Sequence, residues 1–536
     1  MLNWRTRLHS LTHSAAFLWK LCGAILVAAL LLAALMLGFR DRAAGDGLLP
    51  AGSGSEDLLD DVMQRLAEFE HPAKPNPVEL ANLLRMLKTG ANPDQFDPVE
   101  LRFGSVKLQP ILHKHLESDA QREVFADFVR CRLLDENPMR MEAMQRLHDA
   151  AAQTQPVRFA NEFEGDLLAG MGRRSESLKA YLREGLFADA HRARSLAFST
   201  ALVLQDKATL RNLSSDPIFG MDMDAFTSFQ VASLLDDRWM LLRAIGRLQW
   251  HRWTHSDGIP LALLSAAVWY VILVYSASRE RHRWLRYLPP VLAGVWSVWL
   301  LHWWQGSLHY GLSDEQQVTP THELVQWIVY VGLPEETVKL CLFAPFLPFL
   351  LRCGSSSKAA LTAGCVGLGF ALDENLGYFI REGETVAVGR FVTANFMHVA
   401  FTGIAGGWLY ELVRSRFHAA TEFLTAFLGV VAAHGVYDFS STDSAQKWGV
   451  EIVGIVILAF AARFYLDRLR TDDVVLRRRT VSSTSVFCVG CALLTGATIL
   501  LAVDNAGSMK GAVDALRKTV AIIPVALIYV REFREL

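Results

Sequence analysis

Cysteine is scarce in this chain and badly placed for cross-linking. Of the seven in 536 residues, Cys22, Cys341, Cys353, Cys365, Cys488 and Cys491 lie in or beside apolar runs, and only Cys131 falls in the long polar region. A disulfide framework there is excluded. Charge is thin as well, at 20% Asp, Glu, Lys and Arg with a formal net charge of −2. A nucleic-acid binder would need an electrostatic footprint that is missing. Long disorder is excluded by the opposite balance, since 51% of the residues are apolar. With 14 Trp and 30 Phe the chain is neither fibrous nor low in complexity. There is no H-E-x-x-H: His322 and Glu323 begin one, but position 326 is Gln326. Cys488 and Cys491 form a C-x-x-C inside VFCVGCALL, which reads as small packing residues on a membrane helix rather than a redox or zinc pair.

Long apolar runs are what the sequence does have, and they exclude a single soluble core. A helix rises about 1.5 Å per residue, so about 20 apolar residues cross a hydrocarbon core of about 30 Å. Ten candidate spans meet that ruler, near 15–38, 259–277, 287–304, 324–350, 359–380, 389–411, 421–440, 449–466, 482–503 and 513–531. The first follows Arg5 and Arg7 and is longer than the apolar stretch of a cleaved signal peptide, so it reads as an uncleaved anchor. With both termini cytoplasmic, the inner segments hold eighteen Lys and Arg, among them Arg279, Arg281, Arg283, Arg286 and Arg477 through Arg479. The short outer loops hold six: Arg381, Arg390, Lys447, Lys510, Arg517 and Lys518. That asymmetry sets the orientation. The expectation is an all-α, multi-pass protein of the inner or plasma membrane. It divides into an anchor helix at 1–38, an extracytoplasmic domain at 39–258 and a membrane-embedded region at 259–536.

The domain at 39–258 has dense mixed charge and few alternating runs. VELANLLRMLKTG, REVFADFVRCRLLD and SESLKAYLREGLFADAHRARSLAFSTALVLQ carry apolar residues at helical spacing, punctuated by Gly, Asn, Asp and Pro. The expectation is a mostly helical domain. Its succession of short helices hints at a stack of hairpins similar to tetratricopeptide repeats, although no clean period is found. Nothing in it looks catalytic. It reads as a binder of a regulator or substrate, or as a spacer.

The chemistry is suggested by ionisable residues inside four consecutive spans, where they are costly unless they face protein or water. The fourth span carries Glu335, Glu336 and Lys339. Glu335 and Lys339 share a helix face and can pair, Glu336 points about 100° away, and Pro334 loosens the backbone ahead of them. The fifth carries Asp373, Glu374 and Asn375, with Gly367 and Gly369 permitting close helix approach. The sixth carries His398 and Thr402 one turn apart, and the seventh His434 and Asp438 one turn apart. Counting from the outer ends, Glu335 lies ~16 Å deep, His398 ~14 Å, and Glu374 and His434 ~9 Å. All fall in the outer half of the bilayer. Asp373 reads as a supporting or structural group. Each pair taken alone could be a buried ion pair or hydrogen bond that only sets helix register. Four together favour a shared site.

These residues resemble the PrsW family of intramembrane proteases, within the wider CaaX-protease and bacteriocin-processing superfamily. Glu335, Glu336 and Lys339 match its E-E-x-x-K, and Phe370, Glu374 and Asn375 its F-x-x-x-E-N. Arg390, His398, Thr402 and Gly403 fit a third motif, and His434 and Asp438 match H-x-x-x-D. The resemblance covers the motif core at 320–440. It implies hydrolysis of a peptide bond in or near the bilayer. In that setting Glu335 or Glu336 is the general base, with one glutamate held by Lys339 and the other free. His398 and His434 stabilise the oxyanion or protonate the leaving amine. Glu374, Asn375 and Asp438 orient water or the imidazoles. One zinc ion on His398, His434, Glu335 or Glu374 is compatible with the residue types, and a metal-free glutamate mechanism is slightly preferred. The family's described role implies a single-span membrane regulator, such as an anti-sigma factor, as substrate. The competing readings are an ion- or proton-coupled transporter and an inactive scaffold or sensor.

Overall fold

The computed structural model describes residues 9–43, 66, 75–86, 96–103, 106–277, 281–307, 319–450, 452–470 and 481–534. Arg5, Arg7, Arg279 and Arg477 through Arg479, which entered the orientation argument, lie outside the described residues. The chain folds as two compact units, Leu49–Ala244 and a second made of Met1–Leu48 with Ile245–Leu536.

Helix α1, Ala15–Ala43, opens the chain and belongs to the second unit. In the Leu49–Ala244 unit, α2 is Pro77–Arg85, whose first turn is capped by Asn76 accepting from Glu79 N–H. A small antiparallel sheet follows in the order β1 (Phe96–Asp97), β2 (Arg102–Phe103), β3 (Val106–Lys107), with Phe96 opposite Phe103 and Arg102 opposite Lys107. Then come α3 (Leu108–His115), α4 (Asp119–Leu133), α5 (Pro138–Ala152), α6 (Ala160–Gly170), α7 (Arg174–Glu184), α8 (His191–Val203), α9 (Lys207–Ser215) and α10 (Ala225–Leu234). From α4 to α9 each helix packs on the next. The polar punctuation does the capping: Ser118, Asn137, Asp206 and Asp224 each accept a backbone N–H of the following first turn. The long segment at 175–205 splits into α7 and α8 at Gly185. Phe125, Phe128, Phe159 and Phe163 form its aromatic core, with Phe128 stacked on Phe163 at 4.0 Å between ring centres.

The second unit continues with α11 (Arg238–His255), which enters it from the preceding unit, then α12 (Ile259–Ala277) and α13 (Leu288–Ser307). The stretch from Pro320 is a broken helix whose central part is α14 (Leu333–Phe343). It is followed by α15 (Ser356–Glu382), α16 (Ala394–Arg414), α17 (Ala420–Phe439), α18 (Ile452–Arg470), α19 (Ser483–Ala506), α20 (Lys510–Ala521) and α21 (Ile523–Arg534). Among the described residues three helices are long and apolar enough to cross a membrane alone, Ala15–Leu37, Ala420–Phe439 and Ser483–Ala506; Arg238–His255 and Ile259–Val274 pass together as a pair bent by 89°. The apolar run at 513–531 is not one helix. It breaks at Ile522 into two 12-residue pieces, because Pro524 has no N–H to carry the ladder across. At ~18 Å each, neither piece spans a bilayer.

Small residues set the spacing of this unit. α15 is buried along most of its length between α12, α13 and α16. A Cβ on Gly369 would lie 1.8 Å from Val291 O of α13, and one on Gly367 would lie 2.2 Å from His398 O of α16. Close backbone approach is thus required at both positions. α1 packs along α19, where Gly496 faces Ala29 and Ala33 is fully buried. Trp269 on α12 anchors an aromatic cluster with Phe391, Phe396, Phe487, Tyr529 and Phe533.

Candidate active site

Three charged groups come from α14, since residues three and four apart on a helix are neighbours. The backbone ahead of them is specialised. Trp327–Gly332 is wound as a π-turn, in which Leu333 N–H reaches back to Ile328 O, immediately before Pro334. Gly332 and Gly435 let this turn lie against α17. A Cβ on Gly332 would be 2.7 Å from Val431 O, and one on Gly435 would be 2.5 Å from Ile328 Cα. The start of α14 is therefore held beside His434, and the Gly367 contact holds His398 against α15.

Lys339 is the hub. Its Nζ lies 3.1 Å from Glu335 Oε2, 2.8 Å from Glu336 Oε1 and 2.9 Å from His398 Nδ1. The ammonium also sits 3.9 Å from the centre of the Phe370 ring, within cation–π range. An ammonium has three N–H donors, and these three acceptors use all of them. The expected division, with one glutamate held by Lys339 and the other free, is corrected. Both carboxylates share the ammonium, because Lys339 is four residues from one and three from the other.

Glu336 is the more heavily engaged glutamate. Besides Lys339 it meets His434 Nδ1 at 2.9 Å and accepts from Thr402 Oγ1 at 3.4 Å. Glu335 meets His434 Nε2 only at 3.5 Å, and that nitrogen lies 3.3 Å from Asp438 Oδ2. With Nδ1 of His398 accepting from Lys339, the proton of the neutral ring sits on Nε2, which donates to Glu374 Oε2 at 2.9 Å. Seven of the eight residues expected from the sequence thus meet in one cluster drawn from α14, α15, α16 and α17. Glu336 and Lys339 are fully buried, while the Glu374 and Asp438 side chains keep 23% and 20% exposure, so the cluster opens on their side.

Asn375 stands one step behind. It accepts from Arg390 Nε, and its own amide donates to Asn395 Oδ1 at 2.7 Å; Asn395 in turn donates to Ser265 Oγ at 2.7 Å. Arg390 also bonds Glu374 and lies 3.5 Å over the Tyr378 ring. Asp373 turns the other way, accepting from Trp253 Nε1 and lying 3.8 Å from Arg252 Nη1, which is a structural tie to α11. Asn395 and Ser265 were not singled out from the sequence. A lone carboxamide and hydroxyl in apolar runs do not name their partners, and the only signal was that Asn395 falls one turn before His398.

Glu335, His398 and His434 can each offer one donor atom, with all three within 4.8 Å of one another. Two imidazoles and a carboxylate suit Zn²⁺ with a fourth position for water. Glu374, whose carboxylate meets Arg390 and His398, is not one of these three. Lys339 Nζ already lies against two of the three donors.

Residues 284–465 match the family described as PrsW family intramembrane metalloprotease, and this third of the chain contains the whole cluster apart from Ser265. No curated protein and no solved structure matches the chain.

Proposed function

With the cluster inside a segment that belongs to the PrsW family, we propose that this integral membrane protein is an endopeptidase that cleaves membrane proteins in the outer half of the bilayer. The observation that carries the reading is the convergence of Glu335, Glu336, Lys339, His398 and His434 from α14, α16 and α17 in one buried cluster. Proteolysis needs a base for water, a donor for the oxyanion and a proton for the leaving amine.

Glu335 is the base. It is the glutamate with fewer partners and the slightly more exposed of the two. Glu336, held by Lys339, His434 and Thr402, keeps the cluster in register. Water attacks the peptide carbonyl carbon as Glu335 takes its proton. Once Glu335 carries that proton, the Lys339 and His434 N–H groups aimed at its carboxylate are released to meet the oxyanion that forms. When the C–N bond breaks, the proton on Glu335 passes to the leaving amine. Glu374 and Arg390 fix the ring of His398, and Asp438 that of His434. A zinc ion, if bound, would be held by Glu335, His398 and His434 and would supply a Lewis acid and a more acidic water.

The proposed arrangement keeps nine of the ten expected spans, with the N-terminus in the cytoplasm and the helical domain outside, where it would contact a regulator or substrate. A single-span regulator of the anti-sigma type is the substrate class to test first. The experiment expresses Glu335→Gln, Glu336→Gln, His398→Ala and His434→Ala in parallel with wild type and compares membrane proteomes. Accumulation of uncut single-span proteins in the Glu335 and His434 variants is expected. Unchanged processing in every variant would falsify the reading, and proton-coupled flux in liposomes would favour transport. Metal content of the purified protein, with activity after chelation, decides between the metal and metal-free forms.

A further inference from the structure

Helix α11 has a composition unlike its neighbours. Its 18 residues, RWMLLRAIGRLQWHRWTH, contain Arg238, Arg243, Arg247 and Arg252 and no Asp or Glu. One face is packed through Leu241, Ala244, Ile245 and Leu248. The opposite stripe is exposed and runs Trp239, Leu242, Arg243, Arg247, Trp250, His251, Thr254, at the three- and four-residue spacing of a single helical face. Trp239 is 75% exposed, Trp250 71% and Leu242 46%. Arg252 alone of the arginines turns inward, toward Asp373.

The next helix says where this face lies. α12 follows after three residues and carries no charged side chain in 19 positions, a length of ~28 Å that matches the hydrocarbon core. α11 meets it at 89°. A helix with four arginines is too costly to share the hydrocarbon with α12 as one span. With α12 crossing the membrane as in the proposed arrangement, the right angle between the two helices would set α11 parallel to the membrane plane at the water boundary. Tryptophan beside arginine on one exposed face is the pattern of a helix seated among lipid headgroups, the ring buried to acyl depth and the guanidinium on phosphate. A second copy of this chain fits the face poorly, since an isologous contact would set arginine against arginine.

We propose that the Trp239–Leu242–Trp250 face of α11, with Arg238, Arg243 and Arg247 around it, is an interfacial binding surface for anionic phospholipid. Guanidinium forks grip the phosphodiester of either headgroup, and the net negative charge of an anionic lipid, with no choline cation to oppose the arginines, gives it the preference. This assignment is independent of the proteolytic reading.

The test reconstitutes the full chain in nanodiscs of phosphatidylcholine alone, or with a quarter phosphatidylglycerol, each doped with a photoactivatable phosphatidylglycerol probe. Cross-linked peptides are mapped by mass spectrometry, and amide exchange of 238–255 is measured in both discs. Adducts on 238–255 and slower exchange in the anionic discs are expected. Arg243→Gln with Arg247→Gln should lower the adduct yield at this segment at least ~5-fold while labelling of α12 stays constant, which controls for folding. Trp250→Ser should lower it in both lipids. Equal yield in wild type and the arginine variant, or no adducts on 238–255 while α12 is labelled, overturns the proposal. So does light scattering that finds two copies per disc with 238–255 cross-linked between them.

Discussion

Lys339 Nζ and His398 Nδ1 lie 2.9 Å apart across α14 and α16, although 59 positions separate them in the chain. That contact ties the glutamate pair to His398, as the Glu336–His434 contact ties it to His434. It makes Lys339 the counterion of two carboxylates and the donor that selects the tautomer of an imidazole.

Lys339→Met is therefore expected to be more harmful than a lost surface charge. It keeps the length of the side chain but leaves Glu335 and Glu336 buried beside each other without a cation. Removing one partner of a buried pair costs about 3–5 kcal/mol. A large fall in the thermal midpoint in detergent and loss of cleavage should be seen together. Adding Glu336→Gln to Lys339→Met should recover part of the stability and none of the cleavage, because the repulsion is relieved while the oxyanion donor stays absent.

Gly367 and Gly389 make a paired test of helix spacing. Alanine at Gly367 places a methyl 2.2 Å from His398 O, so α15 and α16 must separate. Overpacking of this kind costs about 1–3 kcal/mol. It should also pull His398 from Lys339, lowering turnover more than apparent substrate affinity. At Gly389 nothing lies within 4 Å of an added methyl, and alanine there should leave the midpoint level or slightly raised. Equal effects at the two positions would show that the Gly367 contact does not hold the site.

Asn395→Leu breaks the chain that runs from Arg390 through Asn375 to Ser265. It leaves the Asn375 amide without its acceptor and the Ser265 hydroxyl without its donor, at about 1–3 kcal/mol. With Arg390 less firmly braced, the grip on Glu374 and His398 loosens. The expected signature is a change in the shape of the pH–rate profile as well as in its height. Ser265→Ala, which keeps the bond between Asn375 and Asn395, should be milder on both measures.

Cys131 reports on the Leu49–Ala244 unit. It is 2% exposed, and burial, with a smaller push from the Asp127 charge, raises its thiol to about 12. At neutral pH its thiolate fraction is ~10³-fold below that of a free thiol. Alkylation of the native protein should be negligible over the time that labels an unfolded control. It should appear in step with denaturant unfolding of this unit. Rapid native labelling would mean that α4 opens locally.

Much of the helical framework was legible in advance. Apolar runs at 259–277, 421–440 and 482–503 became helices with nearly the same limits, because burying an apolar stripe or spanning a bilayer leaves its period in the chain itself. The Asn and Asp that punctuate the helices of the Leu49–Ala244 unit cap them for an equally local reason. The segment at 513–531 is one apolar run in the sequence, but Pro524 divides its backbone into two helices. Most of the charged cluster could be named from four short motifs. Its wiring could not, because Asn395 and Ser265 carry no pattern until α12, α15 and α16 are packed.

Sequence alone therefore determined most of the helical stretches and that Glu335, Glu336 and Lys339 share one helix. Those are consequences of residue order within a turn or two. Tertiary packing decided that both glutamates share one ammonium, that His398 faces Lys339 on one nitrogen and Glu374 on the other, and that α11 leaves α12 at a right angle. Each of these depends on how closely separate helices approach. Contacts such as Gly367 against His398 set that approach, and no periodicity along the chain encodes it.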